Sequence, residues 1–183
     1  MRGRRPVGSY VVVTGPPASG KSTLAHRLAG TLGWPLLAKD ALKERLIEEA
    51  EPRTVEESRE LGRRAVRLLL AAATELDRGV LDSVWVDRTA AVRELDSLGE
   101  VLEVFCRCHL DLMRSRYARR APTKGAGHFD AERPEAELWP PEALEPLAGG
   151  WPVLEVDTTG PVDVDGLARR IHRARAGPPP TAG

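Results

Sequence analysis

At 183 residues, 42% of them hydrophobic, the chain is long enough to bury the core of one domain. Its 27 basic and 27 acidic residues cancel, which argues against nucleic acid or an anionic membrane as a general partner. No apolar run reaches the length of a membrane span and no apolar stretch follows the opening arginines, so a cytoplasmic protein is expected.

Residues 1–8, with Arg2, Arg4 and Arg5, read as a disordered basic segment. A β-branched run then predicts a first strand over Ser9 to Thr14. It leads directly into Gly15-Pro16-Pro17-Ala18-Ser19-Gly20-Lys21-Ser22, which spells G-x-x-x-x-G-K-S, followed by helix-forming sequence from Lys21 to Leu32. Strand, glycine loop and helix together are the context that makes this pattern a P-loop for a nucleoside triphosphate. Gly15 and Gly20 let the backbone turn so that the N–H groups of Ala18, Ser19, Gly20 and their successors through Thr23 can face phosphate at a helix N-terminus. Lys21 would reach the β- and γ-phosphates, and the Ser22 hydroxyl would help hold Mg²⁺.

Gly33 stops that helix, and a short second strand is expected over Leu36 to Ala38, ended by Lys39-Asp40. Asp40 also suits the N-cap of a helix over Ala41 to Ala50. Pro52 breaks it, and Val55, Leu61, Ala65, Leu68, Leu69, Ala72 and Leu76 recur at helical spacing in a long helix from Thr54. Val80 to Asp82 is a third strand, with an alternative register that ends a strand at Asp87 instead. A helix over Ala90 to Leu98 stops at Gly99, and Val101 to Cys108 is a strong fourth strand. Cys106 and Cys108 alternate on it, in poor disulfide geometry, and read as buried small hydrophobes in a reducing compartment. His109 to Arg120 is a helix carrying several arginines. Residues 121–150 are rich in Pro, Gly and charge, a mobile stretch with room for one short helix. A fifth strand over Val153 to Val156, a helix over Val164 to Ala174 and a disordered tail at 177–183 complete the chain. Strands alternating with helices imply an α/β three-layer sandwich, a five-stranded parallel sheet flanked by helices, within one domain over 9–176.

The P-loop, Lys39-Asp40 after the second strand, Leu81-Asp82-Ser83 after the third, Phe105-Cys106-Arg107-Cys108, the string Arg114 to Arg120, His128 and Asp157-Thr158-Thr159 occur in an order and spacing that resemble a P-loop kinase. The group is the adenylate-kinase-like one, and the resemblance is to its compact AAA-type members, the zeta-toxin and chloramphenicol-phosphotransferase type. The P-loop is specific; the other motifs carry weight only in sequence. The resemblance implies ATP and Mg²⁺ as cofactors and Asp40 as the residue that accepts or orients the proton of an attacking hydroxyl. It implies Asp82 as the acid that orients Mg²⁺ with Ser22, Asp87 being the other candidate. It further implies a small lid, about residues 114–135, whose Arg116, Arg119 and Arg120 close over the triphosphate. At spacing i, i+3 and i+4 the three would share a helix face. Thr158 and its neighbours would line the adenine site, and His128 resembles a lid histidine.

A small-molecule acceptor with a free hydroxyl fits best, its pocket walled by residues 51–73 and the lid, with Trp85, Trp139 and Trp151 as candidate lining. A kinase of nucleotides or nucleic-acid 5′ ends is the alternative, as is a toxin acting on a cell-wall sugar nucleotide. A nucleotide-binding switch is a third: Asp96-Ser97-Leu98-Gly99 matches D-x-x-G but ends a predicted helix, and no N-K-x-D follows.

Overall fold

A computed structural model describes residues 8–120, 127–129 and 132–176. The strands are β1 (Gly8–Thr14), β2 (Leu36–Ala38), β3 (Arg78–Asp82), β4 (Gly99–Arg107) and β5 (Val153–Asp157). The helices are α1 (Lys21–Leu32), α2 (Lys39–Ala50), α3 (Val55–Thr74), α4 (Arg88–Leu98), α5 (Leu110–Arg120), α6 (Glu135–Leu138) and α7 (Val164–Ala176), with a 3₁₀ turn at Pro141–Leu144. Gly8, expected to be disordered, opens β1; the rest of the basic segment and the tail lie outside the described residues.

All strand pairs are parallel, in the order β2-β3-β1-β4-β5. Alternate β1 side chains serve opposite faces. Val11 and Val13 join Leu24, Leu28, Val104, Leu167 and Ile171 beneath α1 and α7. Tyr10 and Val12 join Leu69, Leu81, Trp85 and Leu95 beneath α3 and α4. Such two-sided burial is why the central strands read as near-continuous apolar runs.

The sheet order places the C-terminal ends of β1, β2 and β3 side by side. Ligand crevices of open α/β sheets form at that edge. α3 is amphipathic, capped by the Thr54 hydroxyl, which accepts the Glu57 N–H at 3.2 Å. Exposed ion pairs among Glu56, Glu60, Arg63 and Arg67 line its outer side and contribute little each.

Several local expectations are corrected. α2 begins at Lys39 with Ala38 at its N-cap, so Asp40 sits in the first turn rather than at the N-cap. β3 ends at Asp82, whereas Asp87 is the N-cap of α4 and accepts the Ala90 N–H at 2.9 Å. β4 stops at Arg107, which leaves Cys108 beyond the strand and partly exposed while Cys106 is buried.

Candidate active site

The glycine loop turns between β1 and α1 through positive φ at Gly15 (142°), Ala18 (61°) and Gly20 (90°). A Cβ at Gly15 would lie 2.7 Å from Ser19 Oγ and 3.0 Å from the Cys106 carbonyl, so the motif's first glycine is demanded by packing as well as by its backbone. Ser19 is fully buried, and its hydroxyl has no hydrogen-bond partner among the described residues. A buried hydroxyl without a protein partner calls for an explanation, which an anion held by this loop would supply.

Lys21 is buried at the start of α1, and that burial lowers its pKa, opposed by the negative charges of Asp82 and Asp40. Asp82 is buried at the end of β3, which raises its pKa against the pull of Lys21 and a hydrogen bond from Ser22. Its Oδ1 is buried without a hydrogen-bond partner among the described residues. Asp40 stands on α2 with its side chain 45% exposed, its Oδ1 3.2 Å from Lys39 Nζ. The fold therefore brings Lys21, Ser22, Asp40 and Asp82 to one spot from three separate elements.

Hard oxygen donors suit Mg²⁺, which is held by one or two protein oxygens and by substrate phosphate. The Ser22 hydroxyl, its Asp82 partner and the orphaned Asp82 Oδ1 fit that requirement. No group of three or more His, Cys, Asp or Glu is gathered as a metal cluster among the described residues.

A crevice of about 400 Å³ opens beside the loop, lined by Ala18, Gly20, Thr23, Arg116, Arg120 and Thr158 among others. A more open groove of about 440 Å³ lies next to it around Gly30, Thr31 and Asp165, and holds none of the loop residues. Arg116 sends its guanidinium to the carbonyls of Thr158 (3.2 Å) and Thr159 (3.3 Å) and to Cys108 Sγ (3.4 Å). It thus fastens the turn after β5 to α5 while its Nη1 stays 3.7 Å from a Cβ built on Gly20. Arg120 stacks over the Tyr117 ring at 5.6 Å. Arg119, by contrast, is exposed and is not among the lining residues of the crevice, so the three arginines do not share one face toward it.

Thr158 is buried and donates its hydroxyl to the Ser19 carbonyl at 2.6 Å, with the Arg107 carbonyl 2.9 Å away. It ties the end of β5 to the glycine loop. Asp157 accepts the Thr159 N–H at 2.8 Å in a local turn, and bonds to Thr159 hold its carboxyl below the usual range. His128 is buried, and its carbonyl accepts the Ser58 hydroxyl at 3.3 Å, itself 2.7 Å from Lys43 Nζ. The remaining lid positions 121–126 and 130–131 lie outside the described residues.

Of the candidate lining tryptophans, Trp85 packs in the α3–α4 core with its indole nitrogen buried and without a hydrogen-bond partner among the described residues. Trp151 donates to Glu103 at 3.2 Å, and Trp139 donates to the Pro17 carbonyl of the loop at 3.0 Å. Glu103 is not among the expected site residues, although a carboxylate flanked by Val101-Leu102 and Val104-Phe105 in a buried strand is a readable signal. It is fully buried and accepts from the Thr14 hydroxyl (2.6 Å), the Leu147 N–H (2.8 Å) and the Ala148 N–H (3.0 Å).

With this geometry in place, comparison with known proteins is informative. Residues 11–138 match the AAA domain family AAA_33. A structure from Chloroflexus aurantiacus J-10-fl, provisionally described as a kinase, is 27% identical with a TM-score of 0.79, over 92% of this chain and 98% of that one. Shikimate kinase from Acinetobacter baumannii, solved with shikimate, is 20% identical with a TM-score of 0.60, over 92% of this chain and 93% of that one. The adenosine phosphosulfate (APS) kinase CysC of Mycobacterium tuberculosis, solved with AMPPNP and APS, is 20% identical with a TM-score of 0.60, over 94% and 99% of the two chains. No curated protein sequence matches the chain significantly. The chain belongs to the AAA domain family AAA_33 and has the fold of a compact P-loop kinase.

Proposed function

We infer that the protein is an ATP- and Mg²⁺-dependent kinase that moves the γ-phosphate to a hydroxyl of a small-molecule acceptor. The observation that carries this reading is the convergence of Lys21, Ser22 and Asp82 with a second, half-exposed carboxylate, Asp40, on a separate helix. The similar structures described as kinases of shikimate and of APS support a small acceptor.

In the proposed reaction the loop N–H groups from Ala18 to Thr23 and Lys21 hold the triphosphate. The acceptor oxygen attacks the γ-phosphorus as the bond to the bridging oxygen breaks, and ADP leaves. Asp40 takes the proton from the acceptor hydroxyl. Phosphoryl transfer is dominated by positioning and charge neutralisation, so Lys21, Arg116 and Arg120 would supply most of the rate, while Arg119, exposed and outside the crevice lining, is given no part in it. Ser22 and Asp82 would hold Mg²⁺, which would supply neutralisation of phosphate charge. Thr158, which lines the crevice beside the loop, would border the bound nucleotide. The single kinase domain proposed over 9–176 would act in the cytoplasm, where its two cysteines would stay reduced.

The test is transfer of labelled γ-phosphate from ATP, with GTP alongside, to a panel of sugars, hydroxy acids, nucleosides, nucleotides and 5′-hydroxyl oligonucleotides. Label on a small hydroxyl compound supports the reading. Label confined to nucleotides or oligonucleotides replaces it, and tight nucleotide binding with no transfer to any of them points to a switch.

A further inference from the structure

Trp139, at the C-terminal end of α6, donates its indole N–H to the Pro17 carbonyl at 3.0 Å, bridging 122 positions of sequence. This bond is made at a strained place. The next residue, Ala18, holds φ of 61°, a left-handed conformation that costs a residue with a Cβ about 1–2 kcal/mol. Ala18 is buried, and its methyl packs in a small cluster with Met113 and Tyr117 of α5 and Leu138 of α6, which Trp139 and Leu144 border. Trp139 meets the Tyr117 ring edge-on at 5.6 Å, so the indole is fixed by α5 before it reaches the loop.

A trans peptide is planar, with its carbonyl and N–H on opposite edges. Fixing the Pro17 carbonyl toward Trp139 therefore fixes the Ala18 N–H in the opposite direction. We propose that Trp139 is a positioning residue for nucleotide binding: its indole orients the Pro17–Ala18 peptide so that the Ala18 N–H faces the phosphates. This rests on the reading of the loop as a triphosphate site. It also gives the segment from α6 to the 3₁₀ turn a direct mechanical link to that loop.

The experiment is calorimetric titration of the full chain with Mg²⁺ and AMPPNP, on wild type and three variants. Trp139→Phe keeps the aromatic packing and deletes the donor. Leu144→Ala loosens the same cluster and leaves the donor alone. Ala18→Gly combined with Trp139→Phe removes the strain the bond restrains, since glycine adopts the left-handed conformation freely. Trp139→Phe is expected to weaken binding about fivefold to tenfold, within the range for one hydrogen bond. Leu144→Ala should lower the melting temperature and bind as wild type does. The double variant should recover at least half of the lost affinity on a logarithmic scale. Wild-type affinity in Trp139→Phe, or an equal loss in Leu144→Ala, would overturn the inference while leaving the triphosphate site standing. No binding by wild type would overturn both. If Trp139→Phe fails to fold, replacing Trp139 with 3-benzothienylalanine, which keeps the bicyclic shape and lacks the N–H, decides: a fivefold to tenfold loss of affinity supports the inference, and wild-type affinity refutes it.

Discussion

Thr14, the residue just before the glycine loop, donates its hydroxyl to the buried carboxylate of Glu103 at 2.6 Å. Glu103 also receives Leu147 N–H, Ala148 N–H and the Trp151 indole, so one side chain joins β1, β4 and the strand-to-strand connection before β5. Removing the acceptor of a buried hydrogen-bond set leaves several donors stranded. Glu103→Ala is expected to destabilise the protein by about 1–3 kcal/mol for each donor left unpaired, measured by urea denaturation. Glu103→Gln should do less harm, because its carbonyl oxygen can still accept part of the set. A loss below about 1 kcal/mol in Glu103→Ala would show that the network is replaceable by water.

Burial sets the charge of Asp82 against the stability of the fold. Burial raises its pKa, so the ionised carboxylate is less favourable folded than unfolded. Asp82→Asn should therefore stabilise the unliganded protein at pH 7 by about 1 kcal/mol or more, the scale of one imperfectly paired buried group. A folded pKa above the unfolded one means the wild-type penalty is present at neutral pH and relieved as pH falls through the folded value toward 3.8. The advantage of Asp82→Asn should shrink over that window. The same variant should lose the Mg²⁺-dependent part of nucleotide binding. Paired urea melts at pH 7 and near pH 4, with titration calorimetry, check both halves.

The two cysteines should separate in a thiol assay. Burial pushes the Cys106 thiol up to about 12, whereas Cys108 lies partly exposed beyond the end of β4. In Ellman's assay one thiol should react quickly in native protein and the second only in denaturant. Two fast thiols without denaturant would mean that the Cys106 side of the sheet opens readily.

Arg88 donates to the carbonyls of Glu142 (2.8 Å) and Glu145 (3.1 Å), and also to that of Pro146, holding the segment after the 3₁₀ turn against α4. Arg88→Ala is expected to cost about 1–3 kcal/mol and to raise proteolysis within residues 140–148 at least tenfold. Unchanged cleavage would place the hold on that segment with Glu103 alone.

What the sequence disclosed follows from how local each signal is. The glycine loop, β1 and α1 are specified by adjacent residues, and Asp82 rather than Asp87 ends β3 as its preferred register indicated. The parallel sheet follows from the alternation of elements. Side-chain tasks set by distant partners were not legible. Thr158 resembles a nucleoside-site residue in the chain, yet it bonds Ser19 across 139 positions. Trp139 looks like pocket lining and instead meets Pro17. The arginines at 116, 119 and 120 share helical spacing, but Arg116 is turned to the Thr158 and Thr159 carbonyls while Arg119 faces solvent. Hydrogen bonds between residues more than a hundred positions apart leave no periodicity to read.

The most direct test of the kinase reading is γ-phosphate transfer to whichever panel acceptor takes label, with wild type and Asp40→Asn run side by side and ATP affinity measured on both. Asp40→Asn should bind ATP as tightly as wild type and transfer about 10²–10⁴-fold more slowly, the span of general-base help. Wild-type turnover in Asp40→Asn would contradict the account and remove Asp40 from the chemistry.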